Sequence, residues 1–479
     1  MDYDVLILGG GIVGCTVAYE LSKYNLNIAL IEKASDIAED ISLINTSVVY
    51  DGSETTNKTI SEYERKGCKL IEEACKKFNV PYKKVGALRV ASDDYGVFKL
   101  KEMYSFAKER GIEKISLLSK EEVIELENNI NIDVKQGLYS EDVAVVSPYE
   151  LSISYAEVAA DNGVNFRFEE EVVNIAKISK GFKVITNKNK FTCRVVINTT
   201  PFDINMGDNI SEQNYNVKEE DIIKNVNYII VSKEVKKPLD RVVITVMDEN
   251  KFAVNIPSVY QGYIIGIKDK NILKSDERIN YSKKLIPTIN KECVSSIFND
   301  IYKKDVMFID DENIKEGYIK VTGTHYGKIG IAPAIAKEIA EVIAKNINTT
   351  FKKEFIDKRR DVYKFKNMST KERNELIALD NRYGKMVCLC NEVTEGEIID
   401  CIRRPLGART LDGIKRRTGV CNGPCKGSYC SRKIINILAR EMDKSPIEIV
   451  KDSKNYTIWN GRIKEFDRCK NCTKNAWLK

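Results

Sequence analysis

The sequence predicts an α/β chain, α+β overall: a Rossmann-like domain with a mostly antiparallel sheet inserted into it, then a small helical, cysteine-rich module. Three observations predict it. The chain opens YDVLIL, GGGIVG, an apolar-periodic run and NIALIEK; its middle alternates short β-branched runs with polar loops; and CLC and CKGSYC stand among helix-like segments near its end.

The opening has the layout of a dinucleotide-binding βαβ unit. Gly9 can take the positive φ of a tight turn, Gly11 lets the backbone approach a pyrophosphate without a Cβ in the way, and Gly14 allows close helix–strand packing. Phosphates then rest on the N–H groups of the helix N-terminus. Glu32 is placed to accept from a ribose diol, and Lys33 follows it at the same edge. A glycine-rich turn of another α/β protein is the bland alternative, but strand, glycines, helix, strand and terminal acid all stand in register.

The elements that follow are read in order. Residues 34–57 form a polar loop, helical periodicity resumes near Ile60, and YKKVGALRVAS reads as a strand. An amphipathic helix near Phe98–Arg110, a capping box at Ser119–Glu122, strand-like GLYSEDVAVV and a helix at Tyr149–Asn162 come next. Residues 163–200 give three or four short strands, and VNYIIVS, RVVITV and YIIGI belong to the inserted sheet. A strand, a glycine-punctuated loop and a helix starting close to Pro333 return the chain to the nucleotide domain. Residues 352–385 read as a charged linker and 441–479 as a tail ending in Cys469 and Cys472.

Composition narrows the class. With 479 residues, 43% apolar and 30% charged, the chain is long enough for two or three domains with a large core. The net charge of +6 is spread along the chain, without the basic stripe that nucleic-acid binding needs. No apolar run reaches the roughly 18 residues of a membrane span, and no basic leader precedes the first strand, so a cytoplasmic protein is expected. The 13 cysteines would then be reduced, which favours metal or redox use of clustered ones.

Cys388, Cys390, Cys425 and Cys430 supply four thiolates between the helix-like runs EGEIIDCIRR and TLDGIKRRT. That is the inventory of a [2Fe–2S] cluster, with structural zinc as its rival; CxC and CxxxxC spacing is unlike the usual CxxC opening of zinc sites. Cys421 is a possible alternative ligand, and Cys401 reads as a small buried hydrophobe.

Taken together, GGGIVGCTVAYELSKY, GLYSEDVAVVSPYELSISYAEVAADNGVNFRF, APAIAKEIAEVI, RYGKMVCLCNEVTEGEIIDCIRRPLGARTLDGIKRRT and CKGSYC resemble a known family. It is that of the FAD-dependent glycerol-3-phosphate dehydrogenases and L-2-hydroxyglutarate oxidases, of D-amino-acid-oxidase-like fold, in the version with a C-terminal BFD-like [2Fe–2S] domain. The resemblance covers nearly the whole chain. It implies FAD on Gly9, Gly11, Gly14 and Glu32, a cluster on the four named cysteines, and a flavin-side passage containing Gly323, Gly327 and Gly330. It implies a body over 1–351, with FAD-binding segments at about 1–60, 150–203 and 318–351 and a substrate domain from 61–149 and 204–317, and the cluster domain over 386–440.

Departures fall on the substrate face. The family's NSGIIHAG is NTSVVYDG here, so Tyr50 replaces a flavin-side histidine; VINAAG becomes Val-Ile-Asn-Thr-Thr-Pro at 196–201; GIDSPGLT becomes GTHYGKIG. Tyr302 and Lys303 stand near an expected substrate-binding arginine. His325, the single histidine, is the candidate general base, against the plainer role of a packed loop residue; Tyr50, Lys303 and Lys328 are further candidates. The expected activity is hydride transfer from a small anionic hydroxy acid or polyol phosphate to FAD, then electron passage through the cluster to a partner protein, which a second flavoprotein subunit would satisfy. Two alternatives stand beside it: an amine or imino-acid oxidoreductase subunit of the opine type, and an electron-transfer subunit whose substrate site has decayed.

Overall fold

A computed structural model of the chain describes residues 1–39, 47–200, 224–231, 238–248, 251–260, 262–269, 271–302, 306–310, 314–325, 327–453, 456–459 and 461. They form two compact units, Met1–Lys33 with Ile37–Arg360, and Ala34–Asp36 with Asp361–Lys479.

In the first unit, the strand Tyr3–Leu8 is central to an eight-stranded sheet, and Val5–Leu8 are buried as expected for a parallel strand covered on both faces. It pairs in parallel with Ile28–Ile31 on one side and with Lys190–Asn198 on the other. Asn165–Arg167 and Tyr318–Thr324 extend the parallel part outward. The register sets Leu8 opposite Ile31 and Asn198. Consequently Gly9, Glu32 and Thr199 all leave the sheet at its carboxyl edge, where open α/β sheets bind ligands.

The helix Ile12–Ser22 packs on Pro148–Asp161 and on Lys328–Ile347, and Lys328–Ile347 also meets Lys58–Phe78. That last crossing is tight because it is made of glycine: a Cβ on Gly67 would stand 1.7 Å from the Gly330 carbonyl oxygen. The helix expected to begin close to Pro333 begins at Lys328, after an N-cap at Gly327. Pro333 is a buried interior residue that forgoes one bond to the Ile329 carbonyl.

The second sheet of this unit runs Val294–Tyr302, Lys224–Val231, Tyr263–Asp269, Lys251–Pro257, Val242–Asp248, Ala87–Ala91, Gln136–Ser140, Ile115–Leu118. Every neighbouring pair is antiparallel except Val242–Asp248 with Ala87–Ala91. Leu88, Val90, Val243 and Ile265 face one way onto Ile279 and Leu285, while Ala87, Ile244, Val254 and Ile256 face the other way onto Val48 and Tyr50. YKKVGALRVAS is two strands, Tyr82–Lys84 and Ala87–Ala91, because Gly86 turns at φ +70. Residues 352–360 lie along the first unit through Lys352 Nζ on the Asn162 carbonyl (2.7 Å) and the buried Arg359–Glu157 pair (2.6 Å).

The second unit packs the helices Glu395–Arg403, Leu411–Thr418 and Ser431–Glu441 around Ile398, Ile402, Ile414, Ile434 and Leu438. A capping box at Thr394 starts the first of them. Asp36, within this unit, binds Arg417 Nη2 at 2.7 Å.

Gly67→Ala is expected to destabilise the first unit by about 2–3 kcal/mol, since the added methyl can be accommodated only by separating two buried helices. Denaturant unfolding monitored by circular dichroism checks this; an unchanged midpoint would show that the crossing tolerates slack.

Candidate functional site

At the carboxyl edge of the parallel sheet, Gly9 turns with φ +100 and a Cβ on Gly14 would stand 1.9 Å from the Gly9 carbonyl oxygen. Gly11 is the N-cap of Ile12–Ser22, with no capping side chain and no acid in the first turn. The helix therefore presents its first amides to an anion rather than to its own side chains. Gly10 donates its N–H to Glu32 Oε2 at 2.5 Å, which holds that carboxylate against the glycine turn, and Lys33 beside it is exposed. Thr199 Oγ1 donates to the Leu8 carbonyl at 2.8 Å and stands 3.0 Å from where a Gly9 Cβ would be. A cradle with no room for side chains and with unclaimed amide dipoles fits a dinucleotide pyrophosphate.

The turn into Lys328–Ile347 collects a second group. A Cβ on Gly327 would approach Glu64 Oε1 at 2.8 Å and the His325 ring at 3.1 Å, and one on Gly330 would lie 3.8 Å from the Tyr50 amide. His325 is buried, and its Nδ1 accepts the Gly327 N–H at 2.9 Å. A neutral ring with Nδ1 so engaged carries its proton on Nε2 and presents a donor there. Tyr50 is buried, and desolvation first, then Glu54, push its phenol far above the ordinary range. It is a neutral hydrogen-bonding group at any working pH. Gly323 lies on the strand Tyr318–Thr324 leading into this turn.

Tyr50 also feels Arg89, Glu64 and Tyr228. Arg89 is 1% exposed on the strand Ala87–Ala91, with Nε on Glu54 Oε2 at 2.5 Å and Nη2 on Ser53 Oγ at 3.2 Å. Burial opposes its charge, but Glu54 and Asp51 outweigh burial and keep it ionised. Its Nη1 has no hydrogen-bond partner among the described residues. Asp51 in turn accepts from Ser53 Oγ at 2.6 Å and from Ser140 Oγ.

In the second unit the cysteines pair. Cys390 and Cys425 sulfurs lie 3.5 Å apart and Cys421 and Cys430 sulfurs 3.6 Å apart, and Cys388 is near enough to Cys430 to influence its thiol. No three histidine, cysteine, aspartate or glutamate side chains among the described residues converge on one point, as a single tetrahedral ion would require. Close pairs suit two irons that each take two thiolates. The Cys425 thiol is held below its ordinary range by the Gly427 N–H, then by the Cys390 thiol and the N–H groups of Tyr429 and Ser428. Burial pushes the Cys388 and Cys430 thiols up. Cys401 is buried away from them, its sulfur on the Ile398 carbonyl at 3.1 Å.

The structure thus brings Gly9, Gly11, Gly14 and Glu32 together, Tyr50, His325, Gly327 and Gly330 together, and Cys388, Cys390, Cys425 and Cys430 together with Cys421. Lys303 and the Cys469/Cys472 pair lie outside the described residues. Sequence reasoning missed Arg89, Glu54 and Glu64. Two of them left a signal: Arg89 interrupts the apolar strand GALRVA, and Glu64 falls on the buried stripe Ile60, Gly67, Cys68, Ile71 and Cys75 of its helix.

Residues 4–342 match the model of the FAD dependent oxidoreductase family, and residues 386–440 that of the BFD-like [2Fe-2S] binding domain. A glycerol 3-phosphate dehydrogenase of Caloramator mitchellensis is 33% identical over 478 residues, covering 96% of this chain and 99% of that one. A glycerol 3-phosphate oxidase of Mycoplasma pneumoniae is 34% identical over 197 residues, covering 40% and 50%. Among solved structures, the dithionite-reduced L-α-glycerophosphate oxidase of Mycoplasma pneumoniae with FAD bound superposes with a TM-score of 0.64 at 24% identity, covering 75% of this chain and 99% of that one.

Gly14→Ala is expected to yield protein that keeps the visible absorbance and EPR signal of the cluster but retains less than about a tenth of its flavin after desalting, because the methyl meets the Gly9 carbonyl. Flavin and iron assays on the same sample check it.

Proposed function

The chain belongs to the FAD-dependent oxidoreductase family, and on that premise we propose that it oxidises a small anionic alcohol, glycerol 3-phosphate or a 2-hydroxy acid, and passes the electrons through its [2Fe–2S] cluster to a partner protein. The observation that carries this reading is the likeness, across both domains, to the Caloramator mitchellensis glycerol 3-phosphate dehydrogenase. Bound FAD supplies a two-electron acceptor and the cluster a one-electron carrier, a combination that direct oxidase chemistry with oxygen would not need.

The chain's own residues take these tasks. Gly9, Gly11 and Gly14 admit the pyrophosphate to the first amides of Ile12–Ser22, and Glu32 with Lys33 borders the ribose. Gly327 and Gly330 keep side chains out of the turn that would border the flavin, and Gly323 lies on the strand leading into it. Tyr50, as a neutral phenol, orients a substrate oxygen by a hydrogen bond. His325 holds the substrate hydroxyl; to take its proton, Nδ1 must first release the Gly327 N–H. Lys303 would meet the anionic end of the substrate as a point charge.

A second reading, oxidation of an amine or imino acid, draws on Asp51, Glu54 and Glu64, whose carboxylates outnumber the Arg89 guanidinium among the described residues around Tyr50. Anaerobic addition of glycerol 3-phosphate is expected to bleach the flavin and raise the EPR signal of the reduced cluster, with triose phosphate as product. His325→Ala is expected to slow bleaching by about 100-fold while leaving bound flavin intact. Bleaching by an amino acid with release of ammonia would favour the second reading. Failure of glycerol 3-phosphate, 2-hydroxyglutarate and amino acids alike would overturn both and leave an electron-transfer subunit.

A further inference from the structure

We propose that the face of the second unit carrying Leu389 and Tyr429 is the docking site of a small acidic one-electron carrier protein. The proposal rests on the reading that electrons leave through the cluster, and it names where they leave and by what kind of partner. The thiols are unevenly exposed. Cys388 and Cys430 are 2% and 1% exposed, whereas Cys390 and Cys425 are half-buried. A cluster on these four has one side sealed and one side, that of Cys390 and Cys425, facing solvent; electron transfer falls steeply with distance, so this is the side of departure.

Leu389, between Cys388 and Cys390, is 75% exposed, and Tyr429, beside Cys430, is 77% exposed. A single exposed leucine needs no explanation. These are two large exposed side chains, each next to a ligand position, on two loops that the Cys390–Cys425 contact joins, and we take them as the apolar part of the docking face. Transient electron-transfer contacts are small, burying less than about 1,200 Å² in all, so they call for few apolar side chains within a polar rim.

The rim selects the partner. Lys426, Arg432 and Lys433 are exposed within a few residues of these ligands, and Glu392, the one exposed acid equally near them in sequence among the described residues, lies 4.0 Å from Arg373. A basic rim steers an acidic carrier and repels a basic one. Elsewhere on this unit, the groove of Arg382, Lys385, Arg403 and Arg440 is neutralised by Asp380, Glu395 and Glu441, and offers no comparable field. In each encounter the reduced cluster loses one electron and the carrier gains it; no bond forms and no proton moves. Two encounters discharge the two electrons of one substrate oxidation.

The test uses the holoprotein with oxidised rubredoxin, a small acidic carrier, and cytochrome c, a basic one, as probes. The holoprotein is reduced photochemically without substrate, so that failure of the substrate assignment does not affect the result. Rubredoxin reduction is expected to be faster than cytochrome c reduction and to slow about tenfold between low and moderate salt. The triple variant K426E/R432E/K433E is expected to slow it about tenfold, and L389S/Y429S to weaken binding of oxidised rubredoxin in calorimetry, where no electron moves. Both variants should keep the cluster's absorbance and EPR signal, as surface changes. Preference for cytochrome c, equal rates and affinities in the variants, or a self-association of the wild type that L389S/Y429S abolishes would each overturn the proposal.

Discussion

The first unit depends on the contact between Gly14 and the carbonyl oxygen of Gly9. A methyl group there would sit 1.9 Å from that oxygen, so the helix Ile12–Ser22 can leave the strand Tyr3–Leu8 at this angle only without a side chain. From that departure follow the N-cap at Gly11, the amides turned toward an anion, and the Gly10 N–H on Glu32. The sheet register does the rest, because Leu8, Ile31 and Asn198 end level and deliver glycine turn, acid and Thr199 to one edge. A cradle of this kind is a property of backbone geometry rather than of particular side chains.

The features that could be read in the sequence are those with local causes. Gly9, Gly11 and Gly14 act within one turn of chain, the capping box at Ser119 and Glu122 within four residues, and the CxC and CxxxxC pairs within single loops. Pro333 misled because a local rule, proline at a first turn, yielded to tertiary packing: the glycine crossing at Gly67 and Gly330 carries the helix back to Lys328. The polar group around Tyr50 was invisible for a related reason. Arg89 and Glu54 are joined across two elements, and neither the strand nor the loop announces the other. What could have been noticed was the cost: a guanidinium inside GALRVA and a carboxylate on the buried stripe of Lys58–Phe78 are expensive unless partnered or used.

Replacement of an expected histidine by Tyr50 changes what that position can do. Imidazole can exchange a proton near neutral pH; a buried phenol beside Glu54 cannot. His325, the proton acceptor proposed above, is itself tied at Nδ1 by the Gly327 N–H. Under that proposal, Nδ1 accepts a proton only when the Gly327 N–H has left it. The N-cap of Lys328–Ile347 is the same residue, so the backbone that donates to the imidazole also sets the direction of that helix.

The cysteine site obeys a different logic, one of contrast between its two sides. Cys388 and Cys430 are buried thiols that burial alone would keep protonated, whereas Cys425 is half-exposed and favoured as thiolate by the Gly427 N–H and its neighbours. Hydrogen bonds and solvent both favour added negative charge at cluster sulfurs and raise the potential of the iron they surround. Cys425 with Cys390 would hold the side of the cluster nearer to solvent, and the Gly427 N–H favours negative charge there. The contrast between the two sides is thus set by the surroundings of the sulfurs themselves, before any partner has bound.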